Sequence, residues 1–312
     1  MVARSIHDVP RDAFNYVWDN AIEPVLEVES GEAVQLHVRD ASDEQINAGS
    51  SVEDVSRLDF THVNPVSGPV YVKGAEPGDT LAVELLEFTP RDWGWTAIIP
   101  GFGLLADEFP DPWLRISRLE PDENRVRFGD TVTLPYEPFP GTIGVAPAEP
   151  GAHSIVPPSR FGGNIDTKHL RAGTTLFLPV GVEGALFSVG DTHAAQGDGE
   201  VCGTAIETAM DVVVRLSVRR DIRVDAPQYL LLEAPPTRPG PHHVCAGVGP
   251  DLFEAAKDAV RATIAYLQDR HGLDREEAYA VASVAVDLRI HEVVDAPNWV
   301  VGAFLPESIF AS

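Results

Sequence analysis

The chain has 312 residues, 44% apolar and 23% charged. That is a globular composition, long enough to hide roughly three quarters of the unfolded surface on folding. Its 48 acidic residues outnumber 23 basic ones for a formal charge of −25. Such a field repels phosphate backbones and acidic lipid, so no nucleic acid and no membrane is expected as a partner. Only Lys73, Lys168 and Lys257 are lysines. An acid-rich, lysine-poor surface suits high salt, where screening removes self-repulsion, and equally suits a genome rich in Arg and Asp codons. Cys202 and Cys245 are too few for a disulfide framework. The first twenty residues carry Asp8, Asp12 and Asp19 without a continuous apolar run. No stretch reaches the roughly 20 apolar residues of a spanning helix, so a cytoplasmic protein is expected.

Taken in chain order, the first 230 residues read as strands and turns. Apolar or alternating runs occupy Val34–Val38, Val70–Val72, Leu81–Phe88, Val126–Phe128, Thr131–Leu134, Thr175–Val180, Ala185–Val189 and Val212–Val218. Most are bounded by Gly, Pro or Asp, as strands are. Short strands at this spacing predict a mainly β fold with a β-sandwich or jelly-roll-like core. The texture changes in the proline-rich stretch Ala234 to Pro241. A helix is predicted from Asp251 to about Arg270, with Phe253, Ala256, Val260, Ile264 and Leu267 on its apolar face and Gly272 as its stop. Asp274 with Glu277 three residues on reads as a capping box for a second helix to about Val286. Arg289–Val294 and Val300–Phe304 read as closing strands. The division is therefore a β-sandwich over 1–233 and a closely packed α+β part over 234–312.

Polar residues and glycines concentrate between Phe161 and Glu207. Gly162-Gly163-Asn164-Ile165-Asp166 lets backbone approach a ligand and frees N–H groups to donate. Asp191 and His193 are two residues apart, so an extended strand projects both from one face, where a carboxylate and an imidazole can meet one ion. Asp198 and Glu200 repeat the spacing. Several carboxylates with one or two imidazoles suit a divalent metal such as zinc, manganese or calcium. A polar stretch on a surface strand of an acidic protein has the same local pattern, and what favours a site is the cluster's place between two apolar strands. His62 lies in a loop before a strand, either as a further metal ligand or as a backbone-bonded loop histidine. His242 and His243, beside Cys245, read as exposed loop histidines. Cys202 follows Val201 in an apolar setting, as a buried structural cysteine does. Trp93 and Trp95 read as packing residues. The chain has no Gly-x-Ser-x-Gly elbow and no phosphate-binding loop.

Longer phrases are more specific. Gly68-Pro69-Val70-Tyr71-Val72 through Gly78-Asp79, Pro140-Gly141-Thr142-Ile143-Gly144-Val145-Ala146-Pro147, Gly162–Asp166, Leu178-Pro179-Val180, Gly190–Glu200 and Ser283–Ile290 follow one another along nearly the whole chain. In that order they resemble the acetamidase/formamidase family. The resemblance implies a β-sandwich joined to an α+β part, a homo-oligomer, a small amide as substrate, and hydrolysis that releases ammonia. It also implies a divalent metal, zinc foremost, with calcium or manganese as alternatives. Carried onto this sequence, Asp166, Asp191 and His193 are the expected metal ligands, with His62 as a fourth candidate. Glu200 is the expected proton acceptor, and backbone N–H groups near Gly162, Gly163 and Asn164 the expected oxyanion contacts. The family's tighter His-Pro phrase is replaced here by His62-Val63-Asn64-Pro65. Two rival readings stay open: a cysteine-dependent amidase using Cys202 with Glu200 and Lys168, and a ligand-binding jelly-roll without catalysis.

Overall fold

The computed structural model describes residues 6–310 apart from 105, 108, 130–131, 201, 232–239, 274, 276–277, 279–281 and 283–285. Two large sheets face each other. The larger, with nine strands among the described residues, runs in space as Ile6–Asp8, Glu32–Val38, Met210–Arg219, Thr80–Pro90, Thr175–Pro179, Gln228–Leu231, His242–Gly249, Trp299–Pro306 and Asp287–Glu292. The second runs as Pro158–Ser159, Gly162–Asn164, Phe139–Gly144, Phe187–His193, Val66–Val72 and Phe14–Asn15, with Leu26–Val28 paired in parallel to Val66–Val72. A four-stranded meander, Trp93–Ile98 to Val132–Pro135, stands beside them.

Period-two alternation explains the sandwich. Val34, Leu36 and Val38 point inward from one strand, Leu81, Val83 and Leu85 from another, and Val212, Val214 and Leu216 from a third. They meet Val70, Phe139, Ile143, Phe187 and Val189 of the second sheet in one core. At about 25 cal/mol per Å2 of apolar area removed from water, that shared core is the main stabilising term. The mainly β expectation stands, and every predicted strand has an observed counterpart. The run predicted to stop at Val189 instead continues to His193, fully buried. Its flanks, Phe139–Gly144 and Val66–Val72, take up its backbone hydrogen bonds, so polar residues are carried into the interior on a central strand.

The predicted helix is Leu252–His271, capped by Asp251, whose side chain accepts from the Glu254 N–H at 2.9 Å, and ended by Gly272 at φ 67°. Its buried face differs from the expected one. Ala255, Ala259, Thr263 and Leu267 are buried, whereas Phe253 is 70% exposed. The reason is closeness: a Cβ at Gly247 in the sheet would lie 1.8 Å from the Ala255 carbonyl oxygen, so only small residues fit the contact. The capping-box residues Asp274 and Glu277, and most of the second helix predicted with them, lie outside the described residues, as does the stretch 232–239 of the proline-rich segment. The strands after residue 240 extend the same nine-stranded sheet, so the α+β part continues the sandwich. No described helix is long and apolar enough to cross a membrane.

Candidate active site

The strand Phe187–His193 lies opposite Phe139–Gly144, with Phe139 against His193 and Thr142 against Gly190. This register sets Gly141 directly across from the Asp191–His193 segment. A Cβ on Gly141 would sit 2.3 Å from Asp166 Oδ1, 2.7 Å from His193 Cε1 and 2.8 Å from Asp191 Oδ2. Gly141 does not have a positive φ, so glycine is needed here for space. Three ligand-bearing side chains crowd the volume that any larger residue would fill.

Five buried carboxylates, Asp166, Asp191, Glu200, Glu207 and Asp295, form three overlapping groups, two of them with His193, and within each group the ligand atoms lie within 4.8 Å of one another. The imidazole is fixed by Gln196. Its Nε2 donates to the Asp166 backbone oxygen at 2.8 Å, so its Oε1 is the atom 2.9 Å from His193 Nδ1, and Nδ1 must be the donor. His193 Nε2 then faces Asp191 Oδ1 at 3.3 Å and Glu207 Oε2 at 3.0 Å. Neither contact is aligned as a hydrogen bond, and Nε2 and Oε2 are buried without one. Both oxygens of Asp166 are likewise buried and unpartnered. Burying such groups unpaired costs several kcal/mol each in an apolar medium. Atoms that crowd one point without bonding one another fit a common cation, and a histidine whose far nitrogen is held by a hydrogen bond is a typical metal ligand.

The remaining contacts support this group. Glu207 Oε1 accepts from the Ala205 N–H at 2.7 Å. Asn164 donates to Asp295 Oδ2 at 2.7 Å and accepts from the Thr142 hydroxyl. Glu292 accepts from the Val294 and Asp295 N–H groups. Asn64, Asp166, Asp191 and Glu200 all have left-handed backbones, at φ 48°, 39°, 51° and 46°. Each costs of order 1–3 kcal/mol and persists where the surrounding structure holds it.

Burial, reinforced by the charge of Asp191, holds Asp166 well above the usual carboxylate range. Burial and then Asp166 do the same to Glu200, and burial and then Asp166 to Asp295. Glu207 is pushed up to about 7, first by burial. Burial alone would lower His193, but Glu207 and Asp191 outweigh it and raise the imidazole. One consequence is measurable in chelator-stripped protein. Glu207 is protonated in both states well below its ordinary 4.5; between there and about 7 the unfolded chain gives up the proton and the folded chain keeps it. Its stabilising contribution is therefore lost as pH rises through this window. Thermal melts are expected to show ion-free wild type losing stability relative to Glu207→Gln from about pH 4.5 to about pH 7. The gap should then stay constant at higher pH. A gap independent of pH would show that Glu207 ionises normally.

Four of these carboxylates, Asp191, Glu200, Glu207 and Asp295, form the floor of a cavity of about 290 Å3 that Asn64 and Trp95 also line, while Asp166 and His193 are not on its lining. Among the described residues, no lysine or arginine lines it. Asp166, Asp191, His193 and Glu200 are thus brought together. His62 is not: it is a half-exposed loop residue whose Nδ1 lies 2.8 Å from Asp59 and whose ring packs edge-on to Tyr16. The turn Asp59–His62 satisfies it locally and aims it away. Gly163 is not at the cavity either, because its strand is paired on both sides, by Thr142–Gly144 and by Pro158–Ser159. Asn164 lines the cavity, but both ends of its amide are engaged. Cys202 lines a neighbouring cavity together with Glu200 and Asp198, with its thiol against Thr204, and Lys168 is bound to Asp198 at 3.1 Å. Neither Cys202 nor Lys168 lines the cavity that Asp191 and Glu207 share.

Glu207, Glu292 and Asp295 are the residues that sequence reasoning underused. Glu292 ends a C-terminal strand and Asp295 lies in the turn after it, both more than eighty positions beyond the motif region. The polar pair His291-Glu292 inside an otherwise closing strand was the available signal. His291 itself is buried against Tyr229 and Thr167, and burial, first among the causes, lowers its pKa to about 3. His242 and His243 lie in a buried strand instead of an exposed loop. His243 stacks on Tyr266 at 3.6 Å and bonds Gln228 at 2.8 Å.

Carboxylates gathered around one imidazole beside a small cavity, on a rigid β-sandwich, make this the candidate active site of an enzyme. The model of the acetamidase/formamidase family matches residues 2–155 and 148–312, and the chain belongs to that family. It is 26% identical to the formamidase of Methylophilus methylotrophus over 94% of this chain and 88% of that protein. Two crystal structures share its fold. The acetamidase of Bacillus halodurans has a TM-score of 0.87 at 30% identity, covering 97% of this chain and 98% of that one. The acetamidase of Yersinia enterocolitica has a TM-score of 0.89 at 30% identity, covering 99% and 94%. The protein is accordingly a hydrolase of amide carbon–nitrogen bonds.

Proposed function

We propose that the chain hydrolyses short-chain carboxamides to carboxylate and ammonia with the help of a divalent ion held by Asp166, Asp191 and His193. Glu207, whose Oε2 lies 3.0 Å from His193 Nε2, is a further candidate on the imidazole side. The observation that carries this reading is the orientation of His193: Gln196 occupies the Nδ1 side, leaving Nε2 facing two carboxylates with no hydrogen bond formed. One imidazole among carboxylates suits zinc foremost, then manganese, with calcium the poorest match to a nitrogen donor. Bound there, such an ion supplies Lewis-acid polarisation of the amide carbonyl and lowers the pKa of water.

The chain's own residues do the rest. Glu200 is the proton carrier. Its carboxylate lines the cavity, and no described residue forms a hydrogen bond or ion pair with it. Burial, and then the charge of Asp166, raise its pKa above the usual carboxylate range, which strengthens it as a proton acceptor. It accepts a proton from the attacking water as the oxygen bonds to the carbonyl carbon. It then donates that proton to the nitrogen as the carbon–nitrogen bond breaks, and ammonia leaves. Gln196 keeps His193 in one tautomer, and Asn164 braces Asp295. Soluble cytoplasmic residence and assembly into a homo-oligomer accompany this reading.

Elemental analysis of the purified protein, paired with ammonia release from formamide and acetamide, tests it. About one ion per chain, loss of activity on chelation and recovery on adding zinc or manganese are expected. Undiminished ammonia release from fully stripped protein, abolished by Cys202→Ala, would transfer the mechanism to the thiol.

A further inference from the structure

The cavity is larger and more apolar than a formyl or acetyl group requires. Above the carboxylate floor its walls are Leu58, Phe60, Val63, Ile99, Phe102 and Val156, with the buried face of Trp95 beneath them. Trp95 is held there by its Nε1 donating to Asp40 Oδ1 at 3.1 Å, and Asp40 is braced by Ser42. Phe60 is 60% exposed and stands at the rim. Except for Val156, these residues come from two segments, 58–63 and 95–102, whereas the lining carboxylates Asp191, Glu200, Glu207 and Asp295 come from other parts of the chain. The cavity thus joins an apolar wall to a group of carboxylates, and a substrate with a polar reacting head and an apolar tail matches both.

Size decides what tail. A volume of about 290 Å3 has room for on the order of ten water-sized groups. Acetamide has four non-hydrogen atoms, so most of the wall would stay in contact with water when it binds. Apolar surface left wet contributes nothing to affinity or to the transition state. The wall is pre-formed by residues packed with Ala41, Ile46 and Val55 in their own small core, so it does not collapse onto a smaller substrate.

We propose that this wall is an acyl pocket, and that the preferred substrates are primary amides with an extended apolar acyl chain of roughly four to six carbons. The inference rests on the amide-hydrolase reading of the same site and adds its substrate class. Each methylene that reaches the wall raises kcat/KM by about fourfold, until the chain fills the pocket. Formamide, with no acyl carbon beyond the carbonyl, is the poorest of the series.

The test is ammonia release by the full-length, metal-loaded protein from formamide, acetamide, butyramide and hexanamide. A rise in kcat/KM on the order of a hundredfold from acetamide to hexanamide is expected. Ile99→Trp fills the pocket and is expected to cut the hexanamide-to-formamide ratio at least tenfold. Leu58→Trp, nearer the surface, reads the same ratio should the first variant misfold. A flat or falling series overturns the acyl pocket while leaving the hydrolase intact. A rising series whose ratio neither tryptophan changes places the tail elsewhere and overturns it too. Ammonia from none of the four amides sinks the acyl pocket and the short-chain reading together.

Discussion

Gly141→Ala is expected to abolish ion binding and to lower kcat/KM at least about a hundredfold, the cost of misplacing a reacting group by about 1 Å. The substitution adds one methyl group. Its position is dictated by the strand register, 2.3 Å from Asp166 Oδ1 and 2.8 Å from Asp191 Oδ2. Neither carboxylate can retreat freely, because both residues hold left-handed backbones in a fully packed interior. Overpacking at such a place costs about 1–3 kcal/mol, so the melting temperature should fall by only a few degrees while the ion is lost. Elemental analysis and a thermal melt on one preparation separate the two effects. An alanine variant with a full complement of metal and normal activity would show that the three side chains do not share a ligand.

Glu200→Gln is expected to reduce kcat by about 10²–10⁴, the usual worth of a positioned general base, with KM and metal content little changed. The amide matches the carboxylate in shape but accepts no proton. Glu200 has the left-handed φ of 46° and is 6% exposed, yet it touches the cavity, so it is held in place and reaches the substrate. Substitution of Glu207 should behave differently. Its two oxygens are committed to the Ala205 N–H and to the contact with His193, and its loss should weaken ion binding first. The contrast between the two variants distinguishes a proton carrier from a ligand. If Glu200→Gln keeps full kcat, the proton moves through another group.

The buried carboxylates also work against folding unless something neutralises them. Asp166, Asp191, Glu200, Glu207 and Asp295 converge with one imidazole and without a lysine or arginine on the cavity lining. Unneutralised, they repel one another, and the raised pKa values record that repulsion together with desolvation. The divalent ion proposed above would offset both. If it is bound, its removal should destabilise the fold as well as silence the enzyme, by mass action on the native state.

The sequence by itself determined the sandwich and half of the site. Alternating Val, Leu and Ile at period two specify which face of each strand is buried, and this information is local. Asp191-Thr192-His193 likewise announced a carboxylate and an imidazole on one face, and the Gly162–Asp166 phrase close approach of backbone, whereas the need for glycine at Gly141 shows only in the strand register. What only the tertiary structure decided is which distant residues meet them. Glu207 arrives by an isolated bridge to His193, and Asp295 and Glu292 by the closing strands of the other sheet. His62, close to a motif in sequence, is turned out by its own short turn to Asp59. Local pattern fixes the direction of a side chain relative to its strand. Convergence depends on register between strands far apart in the chain, and one residue of slip would reverse every side chain involved.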